Sequence, residues 1–307
     1  MSLYPKITVI TITHCHAEYI TETLSSVLLQ EYPGEIEYII ANDRSPDNTD
    51  EIVKAFLASR QVPSNFKIFY TRHEENKGMS GNINWALQRA AGKYIAICEG
   101  DDYWTDPLKL RTQVEFLEEN KEYALCFSNM NVLRNNVLER RKNLLSKTSF
   151  NKSETPFIHI PTPTALFRNF MKDLPPQLAS SLIDASLWLF LSQYGSFYYS
   201  DNAPVVYRVH DGGAWSGSTD LVNFTRSTKV RIIAWKHLKN IDKIAVANVI
   251  LNWINLKKTA EQNNRMIFAY CLSIYQRFYF ISYLYIQKFK EKLDMLSKAP
   301  SSKKNMV

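Results

Sequence analysis

Apolar residues in the first hundred positions fall into short β-branched runs separated by stretches with helical spacing. Lys6 to Thr13 (KITVITIT) predicts a buried strand. Ile20, Leu24, Val27 and Leu28 then line one face of a helix over roughly 18–30, which Pro33 and Gly34 end. A second apolar run, Ile36 to Asn42 (IEYIIAN), leads into the turn-rich DRSPDNTD, and a helix beginning near Thr49 carries Ile52, Val53, Phe56 and Leu57 on one face. A strand over Phe66 to Thr71, a helix over Ser80 to Ala90 closed by Gly92, and a strand over Lys93 to Cys98 continue the alternation. Strands that alternate with helices predict an α/β fold with a mainly parallel sheet flanked by helices. Ligands of such sheets sit beyond the carboxyl ends of the strands, which here are the polar segments Thr13 to His16, Asn42 to Asp47 and Glu99 to Asp106.

Asp106 and Pro107 predict the start of a helix reaching about Asn120, with a strand over Tyr123 to Asn129 behind it. Residues 131–155 are polar and read as irregular. A short segment, Ile160 to Arg168, precedes a helix over Ser181 to Tyr194, a strand over Ala203 to Val209 and the glycine-containing loop HDGGAWSGS, His210 to Ser218; the remainder reads as helical. This predicts two regions, 1–219 and a C-terminal helical region 220–307. Within the latter, Met266 to Ile286 is long and aromatic, but Gln276 and Arg277 at its centre argue against a membrane span. An amphipathic helix lying on a membrane, or packed on the main domain, fits better.

With 45% hydrophobic and 22% charged residues among 307, the composition excludes a disordered or fibrous chain. The net charge of +7 is unevenly placed: residues 1–225 hold 21 basic and 26 acidic side chains, residues 226–307 hold 16 and 4. A C-terminal surface that meets anions follows, whether membrane leaflet or nucleic acid, or else a solvated helical face. The four cysteines, Cys15, Cys98, Cys126 and Cys271, have no paired spacing, which argues against a zinc site or a disulfide framework and fits a reducing cytoplasm. The N-terminus has no signal-peptide pattern.

The chemistry concentrates at Glu99 to Trp104 (EGDDYW), three carboxylates within four positions directly after a strand. Their mutual repulsion calls for a cation, and Mn2+ or Mg2+ takes carboxylate ligands while completing its shell with phosphate oxygens. The competing reading is a capping cluster for the helix at Pro107.

The segment EGDDYWTDPLKL resembles the DxD region of family 2 glycosyltransferases of the bacterial EGDDYW type, which have the GT-A fold. The resemblance extends over roughly residues 7–216, through ITVITIT, EYITETLSSVLLQEYP, IEYIIANDRSPDNT and NKGMSGNINWALQRAAGKYIAICEGDD. The chain departs from the family in having Glu99 for the first Asp and Thr13-His14-Cys15 for the usual Thr-Tyr-Asn. The resemblance implies that Thr13 and His14 line a nucleoside pocket, that Asp43 recognises base or ribose, and that Asn76, Lys77 and Gly78 approach the donor. It implies Asp101 as the direct metal ligand, Glu99 and Asp102 as ribose or outer partners, and Asp184, before a Leu-Trp pair in SLIDASLWLF, as the base on the acceptor hydroxyl. The loop after VYRVH resembles YRxHxGGxWS, which implies that His210 reaches metal or pyrophosphate and that Gly212 and Gly213 let a lid close with Trp215 over the site. Arg208, Thr162 and Thr164 are weaker candidates, for opposing phosphate and for lining an acceptor cleft.

The expectation is an inverting transfer of sugar from a nucleotide-diphosphate donor, UDP-linked, to a hydroxyl of a glycan or lipid-linked glycan in bacterial surface polysaccharide synthesis. The place is the cytoplasm, with peripheral contact to the inner face of the plasma membrane through the C-terminal region and no nucleic-acid partner. Two rivals are a nucleotidyltransferase, against which THCHAEY lacks the expected glycine-rich phosphate loop, and a non-enzymatic module binding membrane or nucleic acid through the basic end.

Overall fold

In the computed structural model, residues 4–143, 145–213 and 217–250 are described. The alternation appears as β1 (Ile7–Thr13), α1 (Ile20–Leu28), β2 (Ile36–Asn42), α2 (Thr49–Ser59), β3 (Phe66–Arg72), α3 (Gly78–Leu87) and β4 (Tyr94–Ile97). Behind it come β5 (Tyr103–Trp104), α4 (Lys109–Glu119), β6 (Tyr123–Ser128), β7 (Asn131–Arg134), β8 (Val137–Arg140), β9 (Ser149–Phe150) and β10 (Leu166–Arg168). The described elements end with α5 (Pro176–Ala179), α6 (Asp184–Leu191), β11 (Ser196–Ser200), β12 (Val205–Val209) and α7 (Asp220–His237).

The main sheet has the order β3-β2-β1-β4-β10-β6-β11-β9. Its first four strands are parallel, while β10 runs antiparallel to both β4 and β6. Ile7, Val9, Ile36, Tyr38, Tyr94 and Ala96 face a layer made by α1, α2 and α4, and α3 packs on β1 and β2 with Ile83, Ala86 and Leu87 buried. Burial on both faces is why these strands read as continuous apolar runs rather than alternating ones. A second sheet, β5-β12-β7-β8, ties the acidic loop after β4 to the end of β12.

Residues 131–155, expected to be irregular, contain β7, β8 and β9. Strand β8 is exposed at every position and β7 is nowhere fully buried, so neither shows apolar alternation. Their hairpin is set by Asn135 and Asn136, both left-handed (φ 49° and 61°), the twist that a two-residue connection favours. Helix α4 starts two residues beyond the expected Pro107; Asp106 Oδ1 accepts from the Leu108 N–H at 2.9 Å, so this carboxylate, not the upstream acids, serves the helix start.

The chain divides into compact units Met1–Ile241 and Asp242–Val307. The first includes α7, which packs on α5 and α6 and which the sequence placed with the C-terminal region. Residues 243–250 are helical, and Met266 to Ile286 lies outside the described residues. Among the described residues no helix is long and apolar enough to cross a membrane.

Candidate active site

Three parallel-sheet loops and the end of β12 converge at the carboxyl edge. There His16, Asp101 and His210 bring one ligand-type atom each within 4.8 Å of one another. Asp101 Oδ2 is 3.1 Å from His210 Nε2 and 3.7 Å from His16 Nε2, and all three residues are half-buried. His16 Nδ1 lies 3.2 Å from Thr13 Oγ1. With the proton on Nδ1, donated to that hydroxyl, Nε2 turns a lone pair toward Asp101. Burial lowers the proton affinity of His16 and the Asp101 carboxylate partly restores it.

The three acids of EGDDYW are driven apart by their surroundings. Burial, followed by the charges of Asp101 and Asp184, pushes Glu99 up to about 8. Its buried Oε2 has no hydrogen-bond partner among the described residues. Asp102 is 1% exposed, and burial together with the charges of Asp101 and Glu99 pushes it well above the usual carboxylate range, although its Oδ1 accepts from the Arg208 N–H at 2.9 Å. For Asp101 burial acts in the same upward sense, but the His210 hydrogen bond and the neighbouring His16 outweigh it and hold the group below its ordinary value. Asp101 is therefore the member of the cluster that stays ionised most readily. Two imidazole nitrogens and an ionised carboxylate oxygen, all within 4.8 Å of one another, fit a divalent cation, and the nitrogen donors suit Mn2+ better than Mg2+.

On the nucleoside side the candidate residues also meet. Asp43 is 3% exposed, and its Oδ1 accepts from the Lys77 N–H at 2.6 Å. The Asp43 carbonyl accepts from Asn76 Nδ2 at 3.1 Å and lies 3.0 Å from His14 Nδ1. Gly78, at the start of α3, has φ 69°, a conformation that only glycine adopts without strain. The Lys77 side chain is exposed. Asp184, half-buried at the first position of α6, raises Glu99 and also acts on Tyr207 of β12, which feels Asp102, Asp101 and Glu99 as well. Gly212 and Gly213 are described, while Trp215 lies outside the described residues.

Arg208 turns away from the role of opposing a phosphate. Its Nη1 donates to the Asp101 carbonyl at 2.6 Å, its Nη2 to the Glu22 carboxylate, and its guanidinium lies 4.5 Å from the Tyr103 ring. At 8% exposure it is a strut fixing the acidic loop to α1 and β12. Thr164 is buried and donates to the Pro161 carbonyl at 2.7 Å.

Two contributors were given no role in the sequence. His16, the second histidine of THCHAEY, entered only as the last residue of the polar segment Thr13 to His16 beyond a strand's carboxyl end. Gly100 approaches so closely that a Cβ there would lie 2.7 Å from both His16 Nδ1 and Thr13 Oγ1, which no local pattern announces.

Known proteins resemble this chain over part of its length or in its fold. An uncharacterised protein of Mycobacterium tuberculosis is 38% identical over 125 residues, 41% of this chain and 35% of its own length. A UDP-Glc:alpha-D-GlcNAc-diphosphoundecaprenol beta-1,3-glucosyltransferase of Escherichia coli is 34% identical over 116 residues, 38% of this chain and 42% of its own. The chain spans less than half the length of these curated relatives, 35% and 42%. Among solved structures, TarS of S. aureus in complex with UDP-GlcNAc superposes with a TM-score of 0.62 at 19% identity, covering 84% of this chain and 74% of that one. A mannosyltransferase of Pyrobaculum calidifontis in complex with GDP-Man and Mn2+ does so at 0.52 and 15%, covering 93% and 85%. These likenesses establish the GT-A fold. The model of Glycosyl transferase family 2 matches residues 8–174, from β1 through the acidic loop and past β10, and the chain belongs to that family.

Proposed function

We propose that this chain transfers a sugar, with inversion at the anomeric carbon, from a UDP-linked donor to a hydroxyl of a glycan or lipid-linked glycan, as in bacterial surface polysaccharide synthesis. The observation that carries the reading is the meeting of His16, Asp101 and His210 at the ends of β1, β4 and β12. In this reading Asp184 takes the proton of the acceptor hydroxyl, whose oxygen forms the new bond to the anomeric carbon as the bond to the nucleotide diphosphate breaks. Asp101 and His210, joined by His16, hold Mn2+ or Mg2+, which when bound supplies positive charge to the departing diphosphate. Asp43 accepts hydrogen bonds from base or ribose, with Thr13, His14, Asn76, Lys77 and Gly78 shaping the pocket wall. Glu99 and Asp102 stand behind the cation ligands, and Arg208 keeps them in register.

Two family relations favour this assignment. The Escherichia coli relative is named for a UDP-glucose donor and a diphosphoundecaprenol-linked acceptor, and TarS was solved with UDP-GlcNAc. The strongly basic segment 226–307 motivates the further proposal of peripheral attachment to the cytoplasmic leaflet, which equal partitioning of full and truncated chains onto anionic vesicles would refute. The central test is Asp101→Ala assayed for Mn2+-dependent hydrolysis of nucleotide sugars. Loss of turnover with an unchanged melting curve is expected, and full activity in the folded variant would overturn the assignment.

A further inference from the structure

Strands β7 and β8 end in a ribbon with little packed against it. Residues 134–140 are exposed without a break, and Val137 and Leu138 are each 55% exposed. Successive strand residues point to opposite faces, so two adjacent bare side chains mean that both faces of the ribbon are open at this end. Strand β8 is also the outer strand of its sheet. The same stretch is basic. Residues 134–142 carry Arg134, Arg140, Arg141 and Lys142 against Glu139, a net +3 inside a region, 1–225, whose 21 basic and 26 acidic side chains leave −5. Arg140 is tied to Asp201 Oδ2 at 3.0 Å, while among the described residues Arg134 and Lys142 meet no carboxylate.

Charge by itself is the ordinary protection of an edge strand against pairing with another chain. Two neighbouring bare apolar side chains undo that protection, and apolar surface bordered by arginine and lysine is instead the composition of an element that lies in the headgroup layer of an anionic membrane. The position of the ribbon adds a second reason. Strand β7 runs parallel to β12, with Arg134 in register with Val209, the residue before His210. Neighbouring strands are about 4.8 Å apart, so the turn at Asn135 and Asn136 runs out on the same side as the β12 end, where His210 joins Asp101 and His16. We propose that the β7–β8 hairpin is a membrane-docking element, which meets an anionic lipid surface through Arg134, Val137, Leu138 and Lys142 and turns the candidate site toward that surface. This contact is separate from the one proposed for 226–307. The binding stands apart from the sugar-transfer reading, whereas its use, presenting the site to a lipid-borne acceptor, rests on that reading.

Co-sedimentation of the full chain with vesicles of phosphatidylcholine alone, or of equal parts phosphatidylcholine and phosphatidylglycerol, reads this contact without donor or cation. The chain should bind the mixed vesicles and not the neutral ones, and salt should weaken the binding. Val137→Ser combined with Leu138→Ser should weaken it about tenfold, the equivalent of withdrawing about two methylene groups from lipid. Arg134→Gln and Lys142→Gln should each weaken it about fivefold. All four positions are exposed, so thermal melting should be unaltered. Unchanged vesicle binding in the folded double serine variant, equal binding to neutral vesicles, or no binding by the unaltered chain overturns the proposal. A dimer in lipid-free sedimentation velocity that Leu138→Ser dissolves, with vesicle binding intact, assigns the ribbon to a second copy of the chain and overturns it as well. Hairpin-dependent binding by a chain that transfers no sugar spares the docking element and sinks the proposed activity. Sugar transfer by a chain whose vesicle binding ignores the hairpin does the reverse.

Discussion

Gly100→Ala tests how the cation ligands are held. The added methyl would lie 2.7 Å from His16 Nδ1, 2.7 Å from Thr13 Oγ1 and 2.8 Å from Thr13 Cβ, each about 1 Å inside favourable contact. Thr13 cannot retreat: it is 2% exposed, its carbonyl accepts from the Asp43 N–H at 2.9 Å, and the Gly100 N–H itself donates to the Ile12 carbonyl at 2.9 Å. The strain therefore falls on the His16 ring, which loses its Thr13 partner and the orientation of Nε2 toward Asp101. Overpacking of this kind costs about 1–3 kcal/mol, each worth ~2–4 °C in a unit of this size. Loss of an orienting partner weakens metal affinity about 10–100-fold. Calorimetric titration with Mn2+, alongside thermal melts, reads both effects. Gly92→Ala is the control, because its Cβ would strike the Ile7 backbone at 2.4 Å and should lower the melting temperature without changing Mn2+ affinity in the folded chain. Wild-type Mn2+ affinity in Gly100→Ala would refute the argument that the Thr13–His16 contact positions the ligand.

Three further outcomes follow from the same geometry. Asp184→Asn should reduce kcat about 10²–10⁴-fold while the donor KM stays within a few-fold, as steady-state kinetics would record; a KM effect alone would place Asp184 in donor binding instead. Lys109 is buried with its ammonium 4.3 Å from the Trp104 ring, and burial lowers it from 10.5 to about 8. Because the unfolded chain then keeps the extra proton between those values, stability rises with pH across that window, and urea denaturation should show the wild type gaining about 1–3 kcal/mol relative to Lys109→Met from pH 8 to 10.5. A flat difference would mean that the ammonium is not desolvated. Arg208→Lys, which cannot reach the Asp101 carbonyl and Glu22 together, should lose about 1–3 kcal/mol in chemical denaturation, and an unchanged midpoint would deny Arg208 its role as a strut.

Strands β1, β2 and β4, the helices between them and the acidic turn beyond β4 were all legible from local sequence, because a strand buried on both faces and a helix with one apolar stripe each leave a short-range pattern. The resemblance to family 2 added a role for Asp43, Asp101, Asp184 and His210 on the same linear stretches. What the chain order could not convey is pairing across long separations. Asp101 meets His210 109 positions later, Arg208 reaches back 186 positions to Glu22, and the three-residue β10 enters the sheet between β4 and β6 in the reverse direction. Segments such as β7 and β8 carry too little buried apolar surface to show a period, so only their neighbours in space define them. Residue types and local periodicity are properties of the sequence, but which charges share a cleft is decided when distant elements pack and their mutual energies act together.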